Sequence, residues 1–256
     1  MLITDQEPKI LGFKVNPTNI PMVLAKISHW IETKSQHYVC VTGAHPIMEC
    51  YYNPDLLPIF NNSGISTPDG MSVVWILQAK GYKQVQRVYG PDLLMATCQD
   101  GLGKGYRHYF YGSTPDVAEK MSRKLLQLLP GLQIAGITCP PFRPLTLEEI
   151  ENETQAINSI KADIIWVGLG SPKQDMWMSN HLHKLEAPVM VGVGAAFDFI
   201  AGTKAHAPRW IQRNGLEWLF RLASEPRRLW PRYRQYPLFV FLVIKELICS
   251  KKMAGK

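Results

Sequence analysis

The sequence predicts an α/β fold: a doubly wound, mostly parallel sheet with a helical appendage at its C-terminal end. Three observations carry this. Residues 162–170 (ADIIWVGLG) and 187–197 (APVMVGVGAAF) are continuous apolar runs bounded by glycine, the pattern of strands covered on both faces. Strand-like and helix-like segments alternate through the first 203 residues. From Pro208 onward the alternation stops and only helical patterning remains.

Taken in order, HYVCVT (37–42) reads as a short buried strand, followed by a helical stretch. Gly64-Ile-Ser-Thr is a second strand, ending at Pro68-Asp69-Gly70, and Met71 to Ala79 is apolar and helical. RHYFYG (107–112) is a third strand. Ser113-Thr-Pro-Asp then opens a helix to about Leu129, with a capping hydroxyl and proline in its first turn. LQIAGI (132–137) is a strand. Cys139-Pro-Pro-Phe-Arg-Pro is a loop, and Thr146 with Glu149 forms a capping box for a helix to about Ile160. The two glycine-bounded runs supply the central strands of what is a Rossmann-like sheet. Three helical pieces close the chain, at 208–224, about 226–235 and 237–250, punctuated by Pro226, Pro231 and Pro237. No internal repeat is present. The organisation expected is a body over 1–203 and an appendage over 204–256.

Composition bounds the function. Of 256 residues, 46% are hydrophobic and 19% charged, which suits a sizeable core and excludes a disordered chain. The longest apolar run, Leu238 to Ile244, is far short of the ~18–20 residues that span a bilayer. MLITDQEPKI places acids where a signal peptide needs a basic and then an apolar stretch, so neither secretion by that route nor membrane insertion is expected. The five cysteines include no CxxC, which argues against a zinc site or a disulfide framework.

The net charge of +7 is uneven. Residues 204–256 hold twelve Lys or Arg against three acids, giving +9, and the remaining residues carry −2. That asymmetry calls for an anionic partner: nucleic acid, anionic lipid or a diphosphate. Tryptophans and tyrosines interleave the tail arginines, and the closing helix is apolar with Lys245 and Glu246 within it and Arg232, Arg234, Lys251 and Lys252 flanking it. This pattern favours a helix lying in a membrane surface over nucleic-acid binding, with ordinary core packing as the plain alternative.

Ligands of open α/β sheets bind beyond the carboxyl ends of the strands, which narrows the search to a few segments. Four Pro-Asp pairs occur. Pro54-Asp55, Pro91-Asp92 and Pro115-Asp116 fit helix first turns. Pro68-Asp69 differs: a strand precedes it and Gly70 follows, so Asp69 sits on a tight turn where a carboxylate can act as a general base. Gly168-Leu-Gly-Ser-Pro-Lys-Gln follows a strong strand and opens a helix, so its amides can cradle an anion. It departs from GxGxxG because Lys173 stands at the third glycine position. Gly192-Val-Gly194 is a weaker signal, since small residues also serve close helix–sheet packing. His181 and His183 point apart on a helix and make a poor metal pair. No Asp-x-Asp occurs to hold a metal on a diphosphate, and no GxSxG marks a hydrolase elbow.

Six motifs together resemble one family. TPDGMSVVW (67–75), RVYGPDL (87–93), FYGS (110–113), GLGSPKQDMWM (168–178), GVGAAFDFIAGT (192–203) and GLEWLFRLASEPRR (215–228) recur in this order in the WecG/TagA/CpsF glycosyltransferases, glycosyltransferase family 26. The resemblance runs from about Val15 to Arg234. It implies an inverting transferase that needs no metal and no cofactor. Such an enzyme moves a sugar from a nucleotide-diphosphate donor, expected to be uridine-linked and of the N-acetylmannosamine type or a related hexose, to a polyprenyl-diphosphate-linked acceptor at the inner face of the cell membrane. Products of the family feed teichoic acid linkage units, enterobacterial common antigen and exopolysaccharide.

The resemblance also implies roles. Asp69 matches the proposed general base and Arg87 an arginine near it. Gln174 matches the glutamine of the family's P-x-Q motif, and Gly70, Gly168, Gly170, Lys173 and Gly194 are expected beside it as substrate-binding residues. Thr42 matches the threonine closing the first strand. Two residues later the family usually has asparagine, and here Ala44 stands there with His45 next, a departure at the donor-sugar contact. Arg221 and Arg228 match arginines that reach the leaving diphosphate when the appendage folds over. A homo-oligomer is left open, and nucleic acid is not an expected partner. Two rivals stand beside this reading: a nucleotide-cofactor oxidoreductase on the same sheet type, and a non-catalytic membrane-surface nucleotide-binding module.

Overall fold

The computed structural model describes residues 7–254, with side chains through residue 249. The chain opens on an antiparallel hairpin, β1 (Lys9–Ile10) and β2 (Phe13–Lys14), followed by α1 (Ile20–Thr33), whose first turn is capped by the Asn19 side chain. Then come β3 (His37–Thr42), α2 (Ala44–Tyr52), α3 (Leu57–Asn61), β4 (Ile65–Pro68), α4 (Met71–Ala79) and α5 (Gly90–Gly101). The second half of the body holds β5 (Arg107–Gly112), α6 (Pro115–Leu128), β6 (Gln133–Thr138), α7 (Leu147–Ile160), β7 (Ile164–Gly168), α8 (Lys173–His181), β8 (Val189–Gly192) and α9 (Ala196–Ala201). The run at 187–197 is therefore a four-residue strand whose last residues already open a helix.

Six strands pair in the order β4-β3-β8-β7-β5-β6, every neighbour parallel. Alternation within each strand splits its side chains between two cores. Tyr38, Cys40, Tyr109, Tyr111, Ile165, Val167 and Met190 face one side. Val39, Phe110, Ile164, Trp166, Val189 and Val191 face the other. Both faces are covered, which is why the central strands read as unbroken apolar runs. The edge strand β6 is mostly half-buried, and its sequence is correspondingly mixed.

Local chemistry sets the helix starts. Thr114 caps α6, and Thr146 and Glu149 exchange the reciprocal hydrogen bonds of a capping box at 3.2 and 2.8 Å. Asp55, Asp92 and Asp116 lie in helix first turns. Asp69 lies in none of them: it stands between the end of β4 and the N-cap of α4.

The appendage differs from expectation in one place. The predicted helix 208–224 breaks into α10 (Arg209–Arg213) and α11 (Glu217–Ser224). Gly215 has φ +71°, and a Cβ there would stand 2.5 Å from the Trp75 ring, so the chain turns close against α4. α12 (Pro226–Tyr233) and α13 (Tyr236–Ala254) follow. Several contacts tie body and appendage. Arg209 forks onto Asp92 at 2.8 and 2.9 Å. Glu246 of α13 accepts from the Leu11 amide at 2.7 Å and from Lys80 Nζ at 2.5 Å. Phe239 and Val243 enter the same core as Tyr38 and Leu77. The opposite stripe of α13 (Phe241, Ile244 and Ile248) is exposed. The side chains of Lys251 and Lys252 lie outside the described residues. Among the described residues no helix is long and apolar enough to cross a membrane.

Candidate active site

β3 and β8 are neighbours in the sheet but far apart in sequence. In open α/β sheets a ligand crevice lies beyond the carboxyl ends of the strands. Here it is a cleft of about 320 Å³ walled by the segments that follow β3, β4, β7 and β8. Arg221, Arg228, Arg232, Tyr233 and Tyr236 of the appendage complete it. The body supplies glycine loops and a carboxylate, and the appendage supplies the positive charge.

Asp69 is fixed by its backbone. Its amide donates to the Thr42 carbonyl at 2.8 Å, and the Arg87 Nε donates to its carbonyl oxygen. Thr42 itself is fully buried, its Oγ1 3.2 Å from Ser66 Oγ, so it shapes the strand ends and does not line the cleft. Gly70 caps α4 beside the Asp69 turn. Arg87 lies between two carboxylates: Nη2 is 3.2 Å from Asp69 Oδ1 and Nη1 is 2.7 Å from Glu217 Oε2. Its guanidinium also covers the Tyr89 ring at 4.2 Å. Burial pushes the Asp69 carboxyl above its ordinary value, opposed by Arg87, reinforced by Glu217 and opposed again by Arg221. The result is a carboxylate more basic than one in water.

Gln174 ties the two glycine loops together. Its Oε1 accepts from the Gly170 amide at 3.1 Å and the Gly194 amide at 2.9 Å. Both glycines hold positive φ, +78° and +54°, which turns those amides inward onto one acceptor. The sequence places such amides where they can cradle an anion; in the structure these two already have a partner within the chain. Gly168 does line the cleft. Lys173 does not: it is exposed on the first turn of α8.

The Ala44–His45 pair divides. His45 faces the polar cleft, and Ala44 lines a neighbouring one. Burial, with Arg232 nearby, brings the His45 imidazole down to about 4, so it is neutral at pH 7. Arg228 is held by Glu225 at 2.5 and 2.7 Å. Arg221 lies 5.5 Å from the Phe199 ring centroid. Arg232 is pulled below its ordinary value by burial and then by Arg228 and Arg221. Arg221, Arg228 and Arg232 line one cleft together, and such a cluster of guanidinium groups can hold an anion. Among the described residues no three His, Cys, Asp or Glu side chains gather as ligands for a metal ion.

Several groups at the site carry no local sequence signal. Arg232 was legible only as one of seven tail arginines. Glu217 lies within GLEWLFRLASEPRR (215–228), where the sequence marks it only as one acid in a basic tail. Asp175, beside Gln174, is 1% exposed, and burial pushes its carboxyl up to about 6.

A second cleft of about 910 Å³ adjoins the first. Trp75, Trp218, Trp230, Phe239 and Val240 give it aromatic and aliphatic walls. Gly43, Asp69, Arg221, Tyr233 and Tyr236 line both clefts. Asp69 therefore stands where a polar, cation-rich chamber meets an apolar one.

Such an arrangement can take a proton from one reactant and stabilise negative charge on another. The chain belongs to the glycosyl transferase WecG/TagA/CpsF family, whose model matches residues 8–253. Membership sets aside the oxidoreductase and the non-catalytic module. Among its relatives is an N-acetylglucosaminyldiphosphoundecaprenol N-acetyl-beta-D-mannosaminyltransferase of Bacillus subtilis (strain 168). It is 27% identical over 236 residues, covering 89% of this chain and 90% of the relative. A relative of the same name from Bacillus spizizenii is 28% identical over 80% of this chain and 77% of its own length. Another from Staphylococcus aureus (strain MW2) is 25% identical over 95% of this chain and 94% of its own length.

Proposed function

We propose that the protein transfers an N-acetylmannosamine-type sugar from a nucleoside-diphosphate donor to a polyprenyl-diphosphate-linked saccharide, with inversion, at the inner membrane face. The observation that carries the reading is the position of Asp69 on the wall shared by the two clefts. The polar cleft suits the donor, with Arg221, Arg228 and Arg232 around its diphosphate. The aromatic cleft suits the acceptor's first lipid units. In the reaction, an acceptor hydroxyl attacks the anomeric carbon and passes its proton to the Asp69 carboxylate. The bond to the diphosphate breaks, and the departing oxygen keeps the electron pair under the arginines. One displacement inverts the centre, and no second carboxylate at hydrolase spacing is required.

The exposed stripe of α13 and the exposed Trp210 and Trp230, set among tail arginines, support docking of the appendage on an anionic membrane surface. The deciding experiment is a transfer assay of a nucleotide-sugar panel against lipid-linked acceptors, read by mass spectrometry, with Asp69→Asn beside wild type. A general base contributes ~10²–10⁴-fold, so Asp69→Asn should lose turnover on that scale while keeping its fold. Wild-type turnover at saturating substrates removes Asp69 from the role.

A further inference from the structure

Glu217 is the first residue of α11, at the appendage's entry, and is 9% exposed. Its carboxylate meets Arg87 Nη1 at 2.7 Å, while Arg87 Nη2 meets Asp69 Oδ1 at 3.2 Å. One guanidinium thus joins the appendage to the carboxylate on the body. Arg221, one turn further along α11, lines both clefts.

We propose that Glu217 is a positioning residue: from the docked appendage it holds Arg87 by its far edge, so that Arg87 aligns Asp69 without cancelling its charge. The inference rests on the reading of Asp69 as base. A free arginine beside Asp69 would fork onto it and weaken it as a proton acceptor. Shared between two carboxylates, Arg87 orients Asp69 and leaves it basic. The groups facing Asp69 are Arg87 and Tyr89 from the segment before α5 and its cap, Glu217 and Arg221 from α11, Tyr233 from α12 and Tyr236 from α13. Among these, Glu217 is the acid, and its charge raises Asp69. α11 thus carries both Arg221, which lines the two clefts, and the carboxylate that sets the base.

The test compares Glu217→Gln, Glu217→Asp and Asp69→Asn in the full chain. Glu217→Gln is expected to lower kcat about tenfold with donor KM unchanged, and to move the acid limb of the kcat profile to lower pH, because the charge that raised Asp69 is gone. Glu217→Asp is expected to restore part of both. Combined with Arg87→Lys, Glu217→Gln should add little further loss, since both act through one guanidinium. An unchanged kcat and pH profile in Glu217→Gln, with Asp69→Asn inactive, overturns this inference alone. Wild-type turnover in Asp69→Asn overturns the base assignment and this inference with it. A loss in Glu217→Gln as deep as that of Asp69→Asn, unrescued by Glu217→Asp, makes Glu217 the proton acceptor and also overturns it. Thermal unfolding of each variant separates these outcomes from loss of fold.

Discussion

Replacing Gln174 with methionine tests whether one side chain holds the polar cleft together. The swap keeps the volume that packs under Gly192, where a Cβ would stand 2.8 Å from Gln174 Nε2. It removes the oxygen that accepts from Gly170 and Gly194 at 3.1 and 2.9 Å. A backbone donor left without a partner and away from water costs about 1–3 kcal/mol. Both glycines are half-buried and border an open cleft, so water offsets part of the cost, and the lower end applies to each. The pair then costs about 2 kcal/mol, or a fall of roughly 4–8 °C in Tm for a chain of this size. The same change frees the loops after β7 and β8 from each other, and both wall the polar cleft proposed for the donor. Donor KM should rise about tenfold, equivalent to about 1.4 kcal/mol, with kcat much less affected. Calorimetry and a donor titration at saturating acceptor read both numbers. A Tm within about 2 °C of wild type together with an unchanged donor KM would show that Gln174 does not hold these loops.

Activity should survive excess EDTA, because the chain has no Asp-x-Asp and the arginines supply the positive charge; strict dependence on Mg²⁺ or Mn²⁺ would reassign that work. Serine at Phe241 and Ile244, which are 63% and 52% exposed, should weaken binding to anionic liposomes by roughly 10²-fold on the usual value of burying such side chains, measured by co-sedimentation. Removing all of α13 is the poorer test, since Phe239 and Val243 belong to the core. Asp175, held near 6 in the fold against an ordinary 3.8, stabilises fully below about pH 4 and loses that contribution as pH rises through 6. Asp175→Asn should therefore flatten the fall in stability between pH 4 and 6, by up to about 3 kcal/mol, in urea titrations across that range.

Much of the fold was legible in the sequence because it follows from local rules. Strands covered on both faces must be apolar throughout, so β7 and β8 stand out, and capping at Thr114 and Thr146 needs only neighbouring residues. Asp69 was legible for the same reason: a Pro-Asp-Gly turn after a strand differs locally from Pro-Asp in a helix first turn. The small β1–β2 hairpin and the break at Gly215 were not legible, since each depends on a distant surface, for Gly215 the ring of Trp75. The site's connections were hidden likewise. Gln174 meets Gly194 across 20 residues, and Arg209 meets Asp92 across 117. Tail charge could be counted from the sequence, but not divided into Arg232 in the cleft, Arg209 on Asp92 and Glu217 on Arg87. The sequence by itself determined the parallel sheet, the candidate base and the basic, aromatic appendage. Only the tertiary structure decided which charges meet, because ion pairing depends on separations of a few ångströms between elements that composition and periodicity leave unplaced.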